Sequence, residues 1–282
     1  MKNNQILRIK KMKLTVLGTA AAEAQPAFFC ECETCKYARE HGGKDVRKRC
    51  AYLLDEDTFI DFGPDINAQV MMYGIDWTKI DRIIFTHAHS DHLAPGELIW
   101  RNCGFSKVSR NLDIYGDTAV HEKIKAVLNY ENSKITEKQV NPGDIFTAGD
   151  MEILALRADH DPNSTPLNYV ITRNGKSILI ANDTGFWENE NWELLAKYGK
   201  KLDLAVIECT FAFLRENSFR HLCKKHTVRF RDKLLEIGVA DEKTRFITNH
   251  FSHNGAPLQK DLEAFFLPNG IEVAYDGMVI EI

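Results

Sequence analysis

The segment His87-Ala88-His89-Ser90-Asp91-His92 packs three imidazoles and a carboxylate into six residues. Neutral imidazole nitrogens and carboxylate oxygens together offer enough donors for two neighbouring divalent cations, and such ligands accept zinc, manganese and iron alike. Asp183 and His250 are further candidate donors. Each is ambiguous alone: an isolated histidine more often satisfies the core or the surface, and Asn182-Asp183-Thr184-Gly185 is an ordinary turn sequence. Their placement is informative, because the segments starting at His87, Asp183 and His250 each follow a short β-like run. A strand end is a rigid anchor that turns its loop into a cleft, so three such loops imply one shared site.

A second donor cluster is Cys30-Glu31-Cys32-Glu33-Thr34-Cys35. Crowded thiols in a reducing compartment favour metal over disulfide, and the total of seven cysteines is odd. Three thiolates need one more ligand for a closed tetrahedral site, and His253, three residues after His250, could complete a Cys3His zinc site. The alternative is three buried free thiols.

The elements that must position these residues are short. Strands are expected at 14–17, 51–54, 59–61, 82–86, 112–115, 152–156, 167–171, 177–180, 204–207, 245–248 and 272–275. Helices are expected at 66–73 after Pro64, at 118–128 after an Asp117 cap, and at 228–237 before Gly238. Strands alternating with helices in both halves predict an α/β (α+β) layered fold. No linker or tandem repeat interrupts the sequence, so one domain over 1–282 is expected, with 1–12 as an N-terminal extension.

Composition narrows the function classes. The 282 residues are 44% hydrophobic and 27% charged, which suits a globular chain with a sizeable core. Lys+Arg 36 against Asp+Glu 40 leaves a net charge of −4, so no global positive field attracts nucleic acid or an anionic membrane. No apolar stretch is long enough for a membrane span, and the basic segment Met1 to Lys13 lacks the apolar core of a signal peptide. A cytoplasmic location without membrane partners is expected. No Gly-rich phosphate-binding loop is present, which argues against nucleoside triphosphate chemistry.

With these residues in order, the chain resembles the metallo-β-lactamase superfamily. The matching motifs are Phe59-Ile60-Asp61-Phe62-Gly63, Thr86 to His92, Ala158-Asp159-His160, Asp183-Thr184-Gly185 and Thr248-Asn249-His250. The resemblance implies a four-layered αββα sandwich. It also implies that His87, His89 and His160 hold one metal, Asp91, His92 and His250 the other, and Asp183 bridges them. Asp61 is read not as a ligand but as an acceptor orienting a ligand histidine, with a simple turn carboxylate as the alternative. Two ions about 3.5 to 4 Å apart activate a bridging water and clamp the oxygens of an in-line displacement, which favours phosphodiester hydrolysis, with Asp91 among the catalytic residues.

Within that superfamily, Leu17-Gly18-Thr19, the Cys30 to Cys35 loop, the His250/His253 pair and Tyr275-Asp276-Gly277-Met278 resemble the phosphoribosyl cyclic phosphate phosphodiesterases. This likeness runs from about Lys13 to the C-terminus. It implies a dinuclear metal-dependent hydrolase acting on a small cyclic or diester phosphate such as phosphoribosyl 1,2-cyclic phosphate, with one structural zinc besides the two active-site ions. A tRNA 3′-end endonuclease is the enzymatic alternative. A non-catalytic accessory protein of the pyrroloquinoline quinone biosynthesis type, which shares a similar Cys loop, is the other. The expected partner is a small phosphodiester, nucleic acid is disfavoured, and a homodimer stays open.

The general acid implied by the resemblance is a histidine downstream of the 204–207 strand, and either His221 or His226 fits. Counting back from the helix ending near Gly238 favours His221. Arg215, Arg220, Lys224, Lys225, Arg229 and Arg231 surround it, either as a solvated helix face or as a rim facing phosphate. Trp100, Phe105, Trp187 and Trp192 are expected to pack in the core, with stacking on a substrate ring as the alternative, and Cys50, Cys103, Cys209 and Cys223 to be structural.

Overall fold

The computed structural model describes residues 11–214, 216 and 219–282. Most of the expected N-terminal extension and Arg215 of the basic cluster lie outside them. Met12, expected to belong to that extension, is buried in the core.

Two seven-stranded sheets face each other. The first has the spatial order Val279–Glu281, Lys13–Gly18, Ala51–Leu54, Thr58–Ile60, Arg82–Ile84, Leu112–Gly116, Ile135–Gln139; the second runs Glu272–Val273, Arg245–Asn249, Leu204–Glu208, Lys176–Ala181, Leu167–Arg173, Met151–Arg157, Ile145–Ala148. Side chains alternate across a strand, and this period of two sorts the core into three layers. Leu14, Val16, Tyr52, Leu54, Ile60 and Ile84 of the first sheet meet Ile153, Tyr169, Ile171, Ile180, Val206 and Ile247 of the second. The first sheet's outer face, with Leu53, Phe59, Ile83 and Ile114, packs on helices Ile66–Tyr73 and Thr118–Lys125 through Val70, Val120 and Ile124. The second sheet's outer face, with Leu179, Ala205 and Ile207, packs on helices Asn189–Tyr198, Lys224–Glu236 and Gln259–Phe266 through Leu195, Phe230, Leu234, Leu262 and Phe266. The result is the expected αββα sandwich.

Local signals explain the helix ends. Asp117 caps Thr118–Lys125 by accepting from the Val120 amide at 3.0 Å, and Gly74 and Gly199 end their helices in the left-handed region. The helix expected at 228–237 starts a turn earlier, at Lys224. Trp187 and Trp192 are buried as expected and pack edge-on or tilted against Phe230. Trp100 and Phe105 correct that expectation: they are 51% and 65% exposed, on an irregular connection outside the first sheet. Cys50, Cys209 and Cys223 are buried, whereas Cys103, expected to be structural, is exposed. Among the described residues no helix is long and apolar enough to cross a membrane.

Candidate functional site

The donor loops meet along one edge of the sandwich, where strands of both sheets end. Arg82–Ile84 leads into His87 to His92, Met151–Arg157 into His160, Lys176–Ala181 into Asp183, and Arg245–Asn249 into His250. His160 Nε2 lies 3.1 Å from His89 Nδ1. His92 Nε2 lies 3.2 Å from Asp91 Oδ2 and 3.0 Å from Asp183 Oδ2, and His250 Nε2 is 3.1 Å from the same Asp183 oxygen. The other Asp183 oxygen faces His160 Nε2 at 3.9 Å. Asp183 therefore stands between the His87/His89/His160 group and the Asp91/His92/His250 group.

These contacts lie side by side rather than donor to acceptor. His87 Nε2, His92 Nε2, His250 Nε2 and Asp183 Oδ2 are buried and make no hydrogen bond. Buried polar atoms without partners are costly, and cations held among them would satisfy all four. Ligand atoms on a tetrahedral zinc at about 2.1 Å are themselves roughly 3.4 Å apart, close to the spacings here. The charges agree: burial opposes a charged His92, yet Asp91, Asp183 and Asp61 hold its imidazole well above the usual range. Burial likewise opposes ionisation of Asp183, but His250 and His92 hold its carboxyl well below the usual range. The donor set fits two divalent cations.

The rings of His87, His92 and His250 are oriented from behind. Asp61, fully buried, sits 2.6 Å from His92 Nδ1 and also accepts from the Thr86 amide and hydroxyl. Thr86 Oγ1 lies 3.0 Å from His87 Nδ1, and Thr210 Oγ1 lies 2.9 Å from His250 Nδ1. Partners on Nδ1 leave Nε2 to face the centre. The loop carrying Asp91 presses on Gly63 so closely that a Cβ there would stand 1.9 Å from the Asp91 carbonyl oxygen. This explains the glycine of the 59–63 motif.

Of the two histidines left open, the structure brings only His221 to the site. Its Nδ1 donates to Glu208 Oε1 at 2.7 Å, and its ring centroid is 4.7 Å from that of His160. His226 instead sits on helix Lys224–Glu236 with its Nδ1 3.2 Å from Cys223 Sγ. Glu208 was not singled out by sequence, and neither were Thr86 and Thr210. The signal for Glu208 was present, as a carboxylate ending the otherwise apolar run Leu204-Ala205-Val206-Ile207-Glu208.

Cys30, Cys32, Cys35 and His253 converge as expected from their spacing. His253 Nδ1 is 3.6 Å from both Cys30 Sγ and Cys32 Sγ. Burial first, and the neighbouring thiols after it, push the Cys35 thiol up to about 12, while burial is outweighed at Cys32 by His253 and the Cys35 amide, which draw that thiol down to about 6. The four donors fit a tetrahedral zinc. His253 follows Phe251, whose amide donates to Thr19 O and whose carbonyl accepts from Ala21, tying this corner to the His250 loop.

The basic cluster disperses. Lys225 pairs with Glu216, Arg231 with Asp232, Lys224 covers Phe213 and Phe265, and Arg229 covers Phe186. Of the group's described members only Arg220 lines the cleft of about 450 Å³ beside His160, with Arg157, Asp159, Asp161, Trp187, Glu188, Glu190, Asn191 and Phe219.

A family model described as a beta-lactamase superfamily domain matches residues 57–240, from the loop before Asp61 through His221. The chain belongs to the metallo-β-lactamase superfamily. Ribonuclease Z of Listeria monocytogenes is 30% identical over 131 residues, which cover 43% of this chain and 42% of that protein. The chain thus matches under half the length of such curated relatives. Among solved structures, a diphosphatase of the PhnP family superposes with a TM-score of 0.76 at 21% identity, over 97% of this chain and 98% of its own. Zn(2+)-bound PqqB of Methylobacterium extorquens superposes with a TM-score of 0.75 at 15% identity, over 96% and 100%. At these identities the likeness establishes the metallo-β-lactamase fold.

Proposed function

We propose that this superfamily member is a dinuclear metal-dependent phosphodiesterase acting on a small cyclic or diester phosphate, phosphoribosyl 1,2-cyclic phosphate being the favoured type. The observation that carries the reading is the set of buried, unpartnered His and Asp atoms aimed at one centre, with the His221–Glu208 pair on its wall. His87, His89 and His160 would hold one ion, Asp91, His92 and His250 the other, and Asp183 would bridge them. When bound, two divalent ions acidify a shared water and polarise the phosphoryl oxygens.

The chain's own residues supply the rest. Asp61, Thr86 and Thr210 keep the imidazoles of His92, His87 and His250 in one tautomer, and Asp183 contributes the negative charge that lets two dications approach. The poor leaving group in diester cleavage is an alkoxide, which needs a proton as it departs. His221 holds that proton, with Glu208 stabilising the charged ring. Arg220 and Arg157 at the cleft offer guanidinium groups to a phosphate. The resemblance to the cyclic phosphate phosphodiesterases and the superposition on a PhnP-family diphosphatase support this substrate class. One structural zinc at Cys30, Cys32, Cys35 and His253 completes the proposed cofactors.

The second reading is a tRNA 3′-end endonuclease, supported by the ribonuclease Z relatives. The cleft disfavours it: Asp159, Asp161, Glu188 and Glu190 outnumber Arg157 and Arg220 where a polyanion would cross. Turnover of a panel containing a five-membered cyclic ribose phosphate, linear diesters, precursor tRNA and a β-lactam tests the proposal. Fastest turnover of the cyclic or linear diester supports it. Faster tRNA cleavage would install the endonuclease, and preferred β-lactam hydrolysis would remove phosphodiester chemistry.

A further inference from the structure

Behind the donor cluster, four side chains close a hydrogen-bonded ring across the interface of the two sheets. Tyr52, from the first sheet, donates its hydroxyl proton to Asn182 Oδ1 at 2.9 Å and accepts from Asn249 Nδ2 at 2.7 Å. Cys50 Sγ accepts from Asn182 Nδ2 at 3.1 Å and from Asn249 Nδ2 at 3.3 Å. None of the four is more than 1% exposed.

Asn249 ends one strand of the second sheet and Asn182 directly follows another, Lys176–Ala181, and each directly precedes a donor: Asn182 before Asp183, Asn249 before His250. Those two donors have φ of +45° and +59°. Non-glycine residues hold such angles only where their surroundings over-determine them. Strand alternation turns the asparagine amides into the sheet interface, and the left-handed residue that follows swings its side chain toward the centre. The strands that lead to Asn182 and carry Asn249 are not neighbours, because Leu204–Glu208 runs between them. Tyr52 and Cys50 therefore form a direct hydrogen-bonded link between the two donor-bearing strand ends.

This ring is not an economical way to fill a core. Asn249 Oδ1 remains buried without a partner, and an incompletely satisfied polar network is costlier than apolar packing. A geometric role accounts for its presence. We propose that Tyr52, together with Cys50, is a positioning residue of the metal centre, setting the separation of the Asp183 carboxylate and the His250 imidazole by clamping the amides immediately before them. The inference rests on the dinuclear reading above.

Tyr52→Phe keeps the ring and removes both hydrogen bonds. In the metal-loaded protein, competition with a chelator should show affinity for the active-site pair reduced about 10- to 100-fold, the range for losing a residue that orients ligands. The visible absorption of the cobalt(II)-substituted protein should shift, and kcat for a diester should fall with KM little changed. Cys50→Ser, which retains an acceptor, should stay near wild type, while Cys50→Ala should follow Tyr52→Phe. Wild-type metal affinity and cobalt spectrum in Tyr52→Phe, whatever its melting temperature, would overturn the proposal. If Tyr52→Phe does not fold, the Cys50 pair decides, and equal behaviour of its Ser and Ala variants overturns it. Failure of the wild-type protein to bind two active-site ions would instead sink the dinuclear reading itself, and the positioning role with it.

Discussion

Glu208 accepts a hydrogen bond from His221 Nδ1 at 2.7 Å, joining the end of a buried strand to a loop on the wall of the site. Burial alone would lower the His221 pKa, but the Glu208 carboxylate and this bond, with Asp183 and Asp91 behind them, raise it to about 9. A raised pKa stabilises the fold fully below the ordinary value of 6.5, and that contribution is lost as pH rises through about 9. Thermal unfolding of the chelator-treated protein should show Glu208→Gln destabilised near pH 6, with the gap to wild type narrowing above about 9. A gap independent of pH would assign Glu208 to packing alone.

His221→Ala should keep all bound metal yet lose roughly 10²-fold in turnover of an unactivated diester, the usual worth of a positioned proton donor. A nitrophenyl diester departs without protonation and should lose far less. Equal losses on the two leaving groups would make His221 a phosphate-binding group instead.

Asp183 touches both donor groups, so Asp183→Ala should release active-site metal and abolish turnover. Elemental analysis should find about three metals per wild-type chain and the Cys-bound zinc alone in the variant. At most one tightly bound metal in the wild type would contradict this picture.

Cys32→Ser removes one thiolate from the corner that also carries His253. Structural zinc contributes directly to folding, so this variant should lose zinc and melt several degrees lower while retaining the two ions at the His and Asp residues. Unchanged zinc content and melting temperature would point to buried free thiols.

The donor set was legible in the sequence because chemistry restricts which residue types bind cations, and the order of the loops along the chain carries its own signature. The central strands were legible too, since strands covered on both faces read as short apolar runs. The strands not foreseen, Ile135–Gln139, Ile145–Ala148 and Val279–Glu281, are all edge strands, partly exposed and mixed in polarity, so their pattern is weak. Trp100 and Phe105 were misassigned because residue type alone does not say which connections leave the core.

The sequence favoured His221 over His226 only by counting back from a helix end, and tertiary structure brings His221 but not His226 to the donor cluster. Both lie among lysines and arginines five residues apart, and only the earlier helix start at Lys224 carries His226 away while the preceding loop returns His221 to Glu208. It also decided that the basic cluster is not one surface, and that Tyr52, Cys50, Asn182 and Asn249 form one ring. Local propensity and spacing act over a few residues, whereas these contacts join positions 13 to 199 residues apart, which only the packing of one sheet on the other and the return of its loops bring together.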